Sequence, residues 1–263
     1  MRASCSDRSL TLQIGDGIAW LTFQQPQTLN ALTPAMAGEF LGACRQLRER
    51  DDVRVLVMRG SGKAFMAGGD LQALRCDPAA AVEAIIPPMH EAVLLLKSLP
   101  LIVLARLHGA VAGAGLSLAC MADLAIAEAD TRFVYAYADI ATTCDLGLSW
   151  HLVRRLGLNR AMEIALLSKG FDAEKALAWG LINRIEVSGN LDSSVEDWAA
   201  RLAARPSHVI GATKQVLQQA QTSRLAEQLD LEHQLFADCA GQPEFANAID
   251  SFFANRLAAL SSR

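Results

Sequence analysis

The chain has 263 residues, 52% of them hydrophobic and 20% charged, with a formal net charge of −4. That is enough apolar material for one large core with a modest appendage. A slightly acidic chain with scattered arginines lacks the basic field that nucleic acid selects, so no nucleic-acid partner is expected. No apolar run reaches the roughly 18 to 20 residues that span a bilayer, and the opening MRASCSDRSL lacks the apolar centre of a signal peptide; the expectation is a cytoplasmic protein with no membrane partner. The six cysteines, Cys5, Cys44, Cys76, Cys120, Cys144 and Cys239, have no CxxC spacing. They read as free thiols, mostly core residues, with no metal site.

In chain order, LTLQIGDGIAWLTF (10 to 23) reads as two strands joined at Asp16-Gly17, a hairpin signal. Thr33 and Pro34 then mark a helix start, with Met36, Phe40, Leu41, Cys44 and Leu47 at helical spacing. VRVLVMRG (53 to 60) and LIVLARL (101 to 107) are apolar runs of the kind buried on both faces of a sheet, and DLAIA (123 to 127) is a shorter one. Helical segments at 89 to 98, 113 to 121, 146 to 155 and 159 to 168 alternate with them, which predicts an α/β arrangement. Beyond about residue 190 only helical periodicity remains, so a core over 1–192 is expected to carry a helical region over 193–263.

Two clusters of small residues follow buried strands: MAGGD (66 to 70) and AGAG (112 to 115). A Walker phosphate loop requires Gly at 57 and Ser or Thr at 64, where Val57 and Ala64 stand, and GAVAGAGLSL lacks the G-x-G-x-x-G spacing. What remains is a pair of turns whose backbone amides, at the starts of helices, lack acceptors of their own. Two such amides facing one point form an oxyanion hole for a carbonyl oxygen that gains charge during reaction.

With QPQTLNAL (25 to 32), DVRVLVMRGSGKAFMAGGDL (52 to 71), HGAVAGAGLSLACMADLAIA (108 to 127), RAMEIALL (160 to 167) and WGLINRI (179 to 185), the chain resembles the enoyl-CoA hydratase/isomerase, or crotonase, superfamily over nearly its whole length. The resemblance implies a ClpP-like spiral of β-β-α units with a C-terminal helical region that builds trimers, often stacked into hexamers. It implies an acyl-CoA substrate, whose coenzyme is part of the substrate rather than a cofactor. It places the oxyanion amides at Ala67 and Ala114. Contacts to CoA fall on Gln27, Leu29 and Ala31, and on Ala64, Gly68, Asp70 and Leu71, with Asp70 bracing the turn. At Gln27 the chain departs from the basic residue that many members carry.

The reaction depends on the groups over the acyl chain. The hydratase pattern of two glutamates is replaced here by Ser117 and by Ala136-Tyr137. Asp145, in TTCDLGLSW, aligns with the aspartate of double-bond isomerases of the phenylacetate-degradation type, and one carboxylate suffices to remove a proton and return it at another carbon. Capping of the following helix is its plainer role. The resemblance to 4-chlorobenzoyl-CoA dehalogenases gives a rival reading, with Asp145 as nucleophile, His90 activating water, and Phe65 and Tyr137 at pocket positions, although Val82 and Met89 replace other aromatics. Hydration, or a non-catalytic acyl-CoA-binding protein, are further alternatives. His108, Asp123, Asp139, Trp150 and His151 read as turn, packing or solvated residues, and a loop over 72 to 90 together with the helical tail is expected to set acyl preference.

Overall fold

The computed structural model describes residues 8–261; the reading of residues 1–7, Cys5 included, lies outside the described residues. Strands β1 (Leu10–Gly15) and β2 (Ile18–Phe23) pair antiparallel around Asp16-Gly17. Both turn residues have positive φ, 52° and 77°, as the tightest hairpin turn requires. Strands β3 (Val55–Gly60), β4 (Ile102–Leu107), β6 (Leu124–Glu128) and β9 (Arg184–Glu186) continue the sheet in parallel, in the order β1-β2-β3-β4-β6-β9. The α/β expectation is met.

The runs expected to be buried on both faces are buried on both. Leu56 and Met58 of β3 enter the main core, while Val55 and Val57 pack with Leu104 and Ile126 against Leu191, Val195 and Ala199 of helix α8 (Leu191–Ala203). For this reason the first compact unit runs to Ala204 and the second starts at Arg205, rather than dividing after 192. The second unit holds α9 (Ser207–Gln219), α10 (Leu225–Ala240) and α11 (Pro243–Ser261), helices as the periodicity predicts.

On the main core lie α1 (Pro34–Arg48), capped by Thr33 Oγ1, which accepts from Met36 N at 3.1 Å, and α3 (Pro78–Ser98) beside it. Short α2 (Leu71–Cys76) precedes α3, so 72 to 90 is helical rather than a loop. The sequence expects a helix only from 89 because Pro87 and Pro88 each remove a backbone donor. The helix runs through both, with Glu83, Ala84 and Pro87 exposed, where water serves the carbonyls left over.

By length and composition α3 could cross a membrane, contrary to the expectation that no segment is long enough. Its buried residues, Ala81, Ile85, Met89, Ala92, Val93 and Leu96, form one stripe at helical spacing against α1, and Glu91 on another face pairs with Arg45 of α1. That is the pattern of a helix lying on a core.

A second sheet, absent from the sequence reading, joins β5 (Ala110–Ala112), β7 (Arg132–Val134) and β8 (Phe171–Asp172) in the order β5-β7-β8. Helix α4 (Ala114–Met121), buried throughout, starts from β5; α5 (Leu148–Leu156), α6 (Leu158–Leu166) and α7 (Ala173–Ala178) complete the unit. The start of α4 abuts Met66. A Cβ on Gly115 would stand 2.3 Å from the Met66 carbonyl oxygen, so only glycine fits. Gly115→Ala is expected to cost about 1–3 kcal/mol in urea unfolding. Gly42→Ala, on an exposed stretch of α1 with nothing within 4 Å of the new methyl, is expected to add up to about 1 kcal/mol in the same measurement.

Candidate active site

Residues 66–70 run between two other segments. On one side Met66 N–H donates to Ala110 O (3.2 Å) and Met66 O accepts from Ala112 N (2.9 Å). On the other side Ala67 N–H donates to Leu29 O (3.0 Å), Gly68 O accepts from Leu32 N (2.8 Å) and Asp70 N–H donates to Leu32 O (3.0 Å). Ala67 is therefore not the free donor expected from the sequence: its amide is already spent on Leu29. The bonds at Gly68 and Asp70 pair Gly69 with Leu32 as a parallel bridge, which turns Gly69's own N–H away from Leu32 and toward the side of 110–114.

Ala114 is the first residue of α4, where an amide has no acceptor within its helix. Among the described residues neither Gly69 N–H nor Ala114 N–H meets a protein acceptor. The two turns touch, since a Cβ on Gly113 would lie 3.2 Å from Gly68 Cα; Gly68 (φ 120°) and Gly113 (φ 50°) hold backbone that other residues rarely adopt. Gly69 and Ala114 therefore each bring an unpaired amide to this crossing. The clue available in the sequence was the helix cap: Asp70 Oδ1 accepts from Gln72 N (2.9 Å) and Ala73 N (3.1 Å), so the unpaired amide falls just before it.

A buried residue that sequence reasoning passed over fastens the first motif to this turn. Asn30, with no exposed surface, donates through Nδ2 to Ser61 O and Ala64 O (both 2.9 Å) and more weakly to Phe65 O, and accepts Gln25 N through Oδ1 (2.9 Å). Its signal was an asparagine between two apolar residues in a loop, a type that tolerates the left-handed φ of 59° found here. Of the expected CoA positions, Gln27, Leu29 and Leu71 are exposed and Ala31, Asp70 half-buried, while Gly68 is buried at the crossing. Ala64 does not present itself to a ligand: its side chain is sealed in the core and its carbonyl belongs to Asn30.

Asp145 is half-buried in the turn before α5 and does not cap that helix, whose N-cap is Gly147. Tyr137 Oη donates to Asp145 Oδ1 at 2.5 Å, and Ser117 Oγ lies 2.8 Å from the same phenolic oxygen. Burial raises the Asp145 carboxyl above the ordinary aspartate value, while the Tyr137 bond and the neighbouring His90 act in the opposite direction. Tyr137, almost wholly buried beside that carboxylate, is pushed far up and stays a neutral donor. Leu146 N–H donates to His90 Nε2 at 3.2 Å, which makes that nitrogen an acceptor and puts the imidazole proton of the neutral ring on Nδ1. His90 thus holds the backbone next to Asp145, where Leu146 and Gly147 both have positive φ.

The remaining candidates are packed or hydrogen-bonded within the fold, apart from Val82 and Asp139 on the surface. Phe65 is fully buried edge-on against Phe23, with ring centroids 5.6 Å apart, and Met89 is fully buried on α3; Val82 is exposed. His108 Nδ1 accepts from Arg106 Nη1 (2.9 Å) and its Nε2 donates to Gly62 O (3.0 Å), and burial lowers its pKa. His151 is buried and pushed down to about 3 by desolvation and then by Lys97, so it packs as a neutral ring; Trp150 is stacked under Arg154. Asp123 accepts Val103 N (2.9 Å) and Lys97 Nζ (3.2 Å), and Asp139 is exposed. Burial pushes the Cys44 and Cys120 thiols up to about 12, as for core cysteines.

The model of the enoyl-CoA hydratase/isomerase family matches residues 13–261. The chain is 32% identical over 247 residues to a 1,2-epoxyphenylacetyl-CoA isomerase of Escherichia coli K12, covering 91% of this chain and 93% of that protein. It is 30% identical over 254 residues to 4-chlorobenzoyl coenzyme A dehalogenase-2 of an Arthrobacter species, covering 95% and 92%. The crystal structure of a Thermobifida fusca relative in complex with acetoacetyl-CoA superimposes with a TM-score of 0.83 at 29% identity, covering 89% of this chain and 96% of that one. The crotonase fold and the enzyme class expected from the motifs are thereby established, and the chain belongs to the enoyl-CoA hydratase/isomerase family.

Proposed function

We propose that the protein is an acyl-CoA double-bond isomerase with Asp145 as its acid/base. The observation that carries the reading is Asp145 itself, half-buried and hydrogen-bonded by Tyr137, while hydroxyl groups occupy the two positions at which the family's hydratases have glutamates. Gly69 and Ala114 N–H groups would receive the thioester oxygen. Asp145 takes a proton from the α or γ carbon: the C–H bond breaks, an O–H bond forms, and the electron pair passes into a dienolate whose oxygen the two amides hold. The O–H bond then breaks as the proton joins the other end of the three-carbon unit, and the C=C bond has moved. Nothing in this step calls for a metal or redox group. Likeness to the Escherichia coli isomerase supports the class, and the CoA-thioester complex of the Thermobifida fusca relative supports the substrate's handle.

The rival reading is hydrolytic dehalogenation, favoured by the closeness of His90 to Asp145 and by the Arthrobacter relative. It requires a free nitrogen base, whereas His90 Nε2 is engaged by Leu146 N–H. Incubation with 3-enoyl-CoA, crotonyl-CoA and 4-chlorobenzoyl-CoA separates the readings by product mass: isomerisation leaves it unchanged, hydration adds water, and dehalogenation exchanges chloride for hydroxyl. Isomerisation of 3-enoyl-CoA is the expected result; turnover of none of the three, with acyl-CoA bound, would instead mean a binding protein.

Asp145→Asn is expected to lower kcat for isomerisation by about 10²–10⁴-fold while acyl-CoA binding, followed by calorimetry, persists. Ala114→Pro is a direct test of the oxyanion donor, because proline is tolerated at the first position of a helix yet has no N–H; kcat is expected to drop about 10²–10³-fold with the melting temperature little changed. We further propose that the helical unit from Arg205 onward builds a trimer or hexamer. Leu225, Leu229, Phe236, Phe252 and Phe253 are all more than half exposed in it. Sedimentation equilibrium is expected to give three or six chains, and a monomer at micromolar concentration would end that proposal.

A further inference from the structure

The hydroxyl groups of Ser117 and Tyr137 are more than remnants of a lost carboxylate pair. Tyr137 has one proton, and at 2.5 Å from Asp145 Oδ1 it donates that proton's hydrogen bond to the carboxylate. The 2.8 Å contact between Ser117 and the phenolic oxygen is then donated by Ser117 Oγ. The other acceptor near Ser117 is Gly113 O at 3.3 Å, which already accepts Ser117 N–H. The donors run one way, Ser117 to Tyr137 to Asp145, and end on Oδ1. All three members are fixed: Ser117 is fully buried on α4, Tyr137 is 7% exposed, and the turn carrying Asp145 is tied to His90.

We propose that Ser117 and Tyr137 are positioning residues for the isomerase reaction: the Tyr137 hydroxyl, supported by Ser117, occupies Oδ1 of Asp145 and orients the carboxylate so that Oδ2 takes the substrate proton and returns it. This rests on the reading of Asp145 as acid/base. The relay settles two properties at once. It fixes the plane of the carboxylate, since Oδ1 cannot rotate away without breaking the bond, and the proton is collected and delivered at one point in space, as transfer between two carbons of one substrate requires. It also stabilises the charged form of a carboxylate whose burial favours the neutral one. Hydrogen-bond donation to a carboxylate opposes protonation, so loss of the donor raises the pH at which Asp145 becomes competent.

The titratable groups facing Asp145 are His90 from α3, Tyr135 and Tyr137 from the segment after β7, and Cys144 beside it. The test is the pH profile of kcat/KM for 3-enoyl-CoA isomerisation in Tyr137→Phe, in Ser117→Ala, and in each combined with His90→Gln, which keeps an acceptor near Leu146 but removes the imidazole. The acid limb is expected to move to higher pH in Tyr137→Phe, to move less in the same direction in Ser117→Ala, and to do so in both backgrounds. A packing role alone would lower kcat and leave the limb in place, and an unmoved limb, or one displaced to lower pH, overturns the proposal.

Should Tyr137→Phe fail to fold, the chain's two tyrosines offer a second route. Global 3-fluorotyrosine labelling in a Tyr135→Phe background modifies Tyr137 alone, and the more acidic phenol, a stronger donor, is expected to move the limb to lower pH; no movement overturns the proposal. Asp145→Asn distinguishes the two levels. If it stays active, the acid/base reading and the relay fall together; if it is inactive while Tyr137→Phe keeps the limb, only the relay falls.

Discussion

The site depends on one crossing of the backbone, where residues 66–70 pass between the segments 29–32 and 110–114 and bond alternately to each. Side chains do not aim the amides of Gly69 and Ala114. Their direction is whatever the neighbouring backbone bonds, of 2.8 to 3.2 Å, leave over. Asn30 extends the constraint by giving its donors to the carbonyls of Ser61 and Ala64, which would otherwise be turned inward with few partners. Gly115 completes it, because any side chain there would drive α4 off Met66 and take Ala114 with it. Under the proposed function, donors fixed this way would cost no reorganisation as charge develops on a carbonyl between them, which is the condition under which such donors contribute most.

The main sheet and most helices were legible because their signals are local. The Asp16-Gly17 turn, the two-sided apolar runs of β3 and β4, and the Thr33-Pro34 cap each act through residues a few positions apart. The second sheet was not legible because β5, β7 and β8 have only two or three residues each, too short for alternation to register, and are stabilised by partners distant in the chain. Helix α3 was cut short in the reading because a proline pair is a strong breaker in isolation; the stripe from Ala81 to Leu96 on α1 outweighs the two lost hydrogen bonds. Packing on β3, β4 and β6 likewise drew α8 into the first unit, although its own periodicity resembles that of the tail.

At the first turn, the motif pointed to the Ala67 amide, which the structure shows already bonded. Residue type cannot say which N–H of A-G-G-D is free; only the acceptor of each one can, and Leu29 O takes Ala67. The same limit applied to Tyr137, which sequence placed in a pocket as an aromatic ring and structure shows as a hydroxyl donor. Asp145 was singled out through the resemblance of TTCDLGLSW to the isomerases' segment, and the capping role weighed against it belongs to no side chain at all, Gly147 being the N-cap.

Replacing carboxylates by hydroxyls changes what a site can do with a proton. Addition of water requires one group to deprotonate the water and a source of a proton for carbon, and two glutamates can divide that labour. Neither Ser117 nor Tyr137 can share it here: a serine hydroxyl does not titrate near neutrality, and burial beside a carboxylate holds the phenol protonated far above its usual range. The proposed reaction needs only one titrating group, provided that group gives back what it takes. Burial eases the first transfer, since the neutral form of Asp145 is the less costly one, while the Tyr137 hydrogen bond to the charged carboxylate helps the return. In the proposed reaction the carboxylate and the amide pair would be two ends of one balance, with negative charge on Asp145 before proton transfer and on the thioester oxygen after it. Helix α4 contributes at both ends, with its first amide unpaired at Ala114 and Ser117 on its next turn bonded to the Tyr137 hydroxyl that holds Asp145.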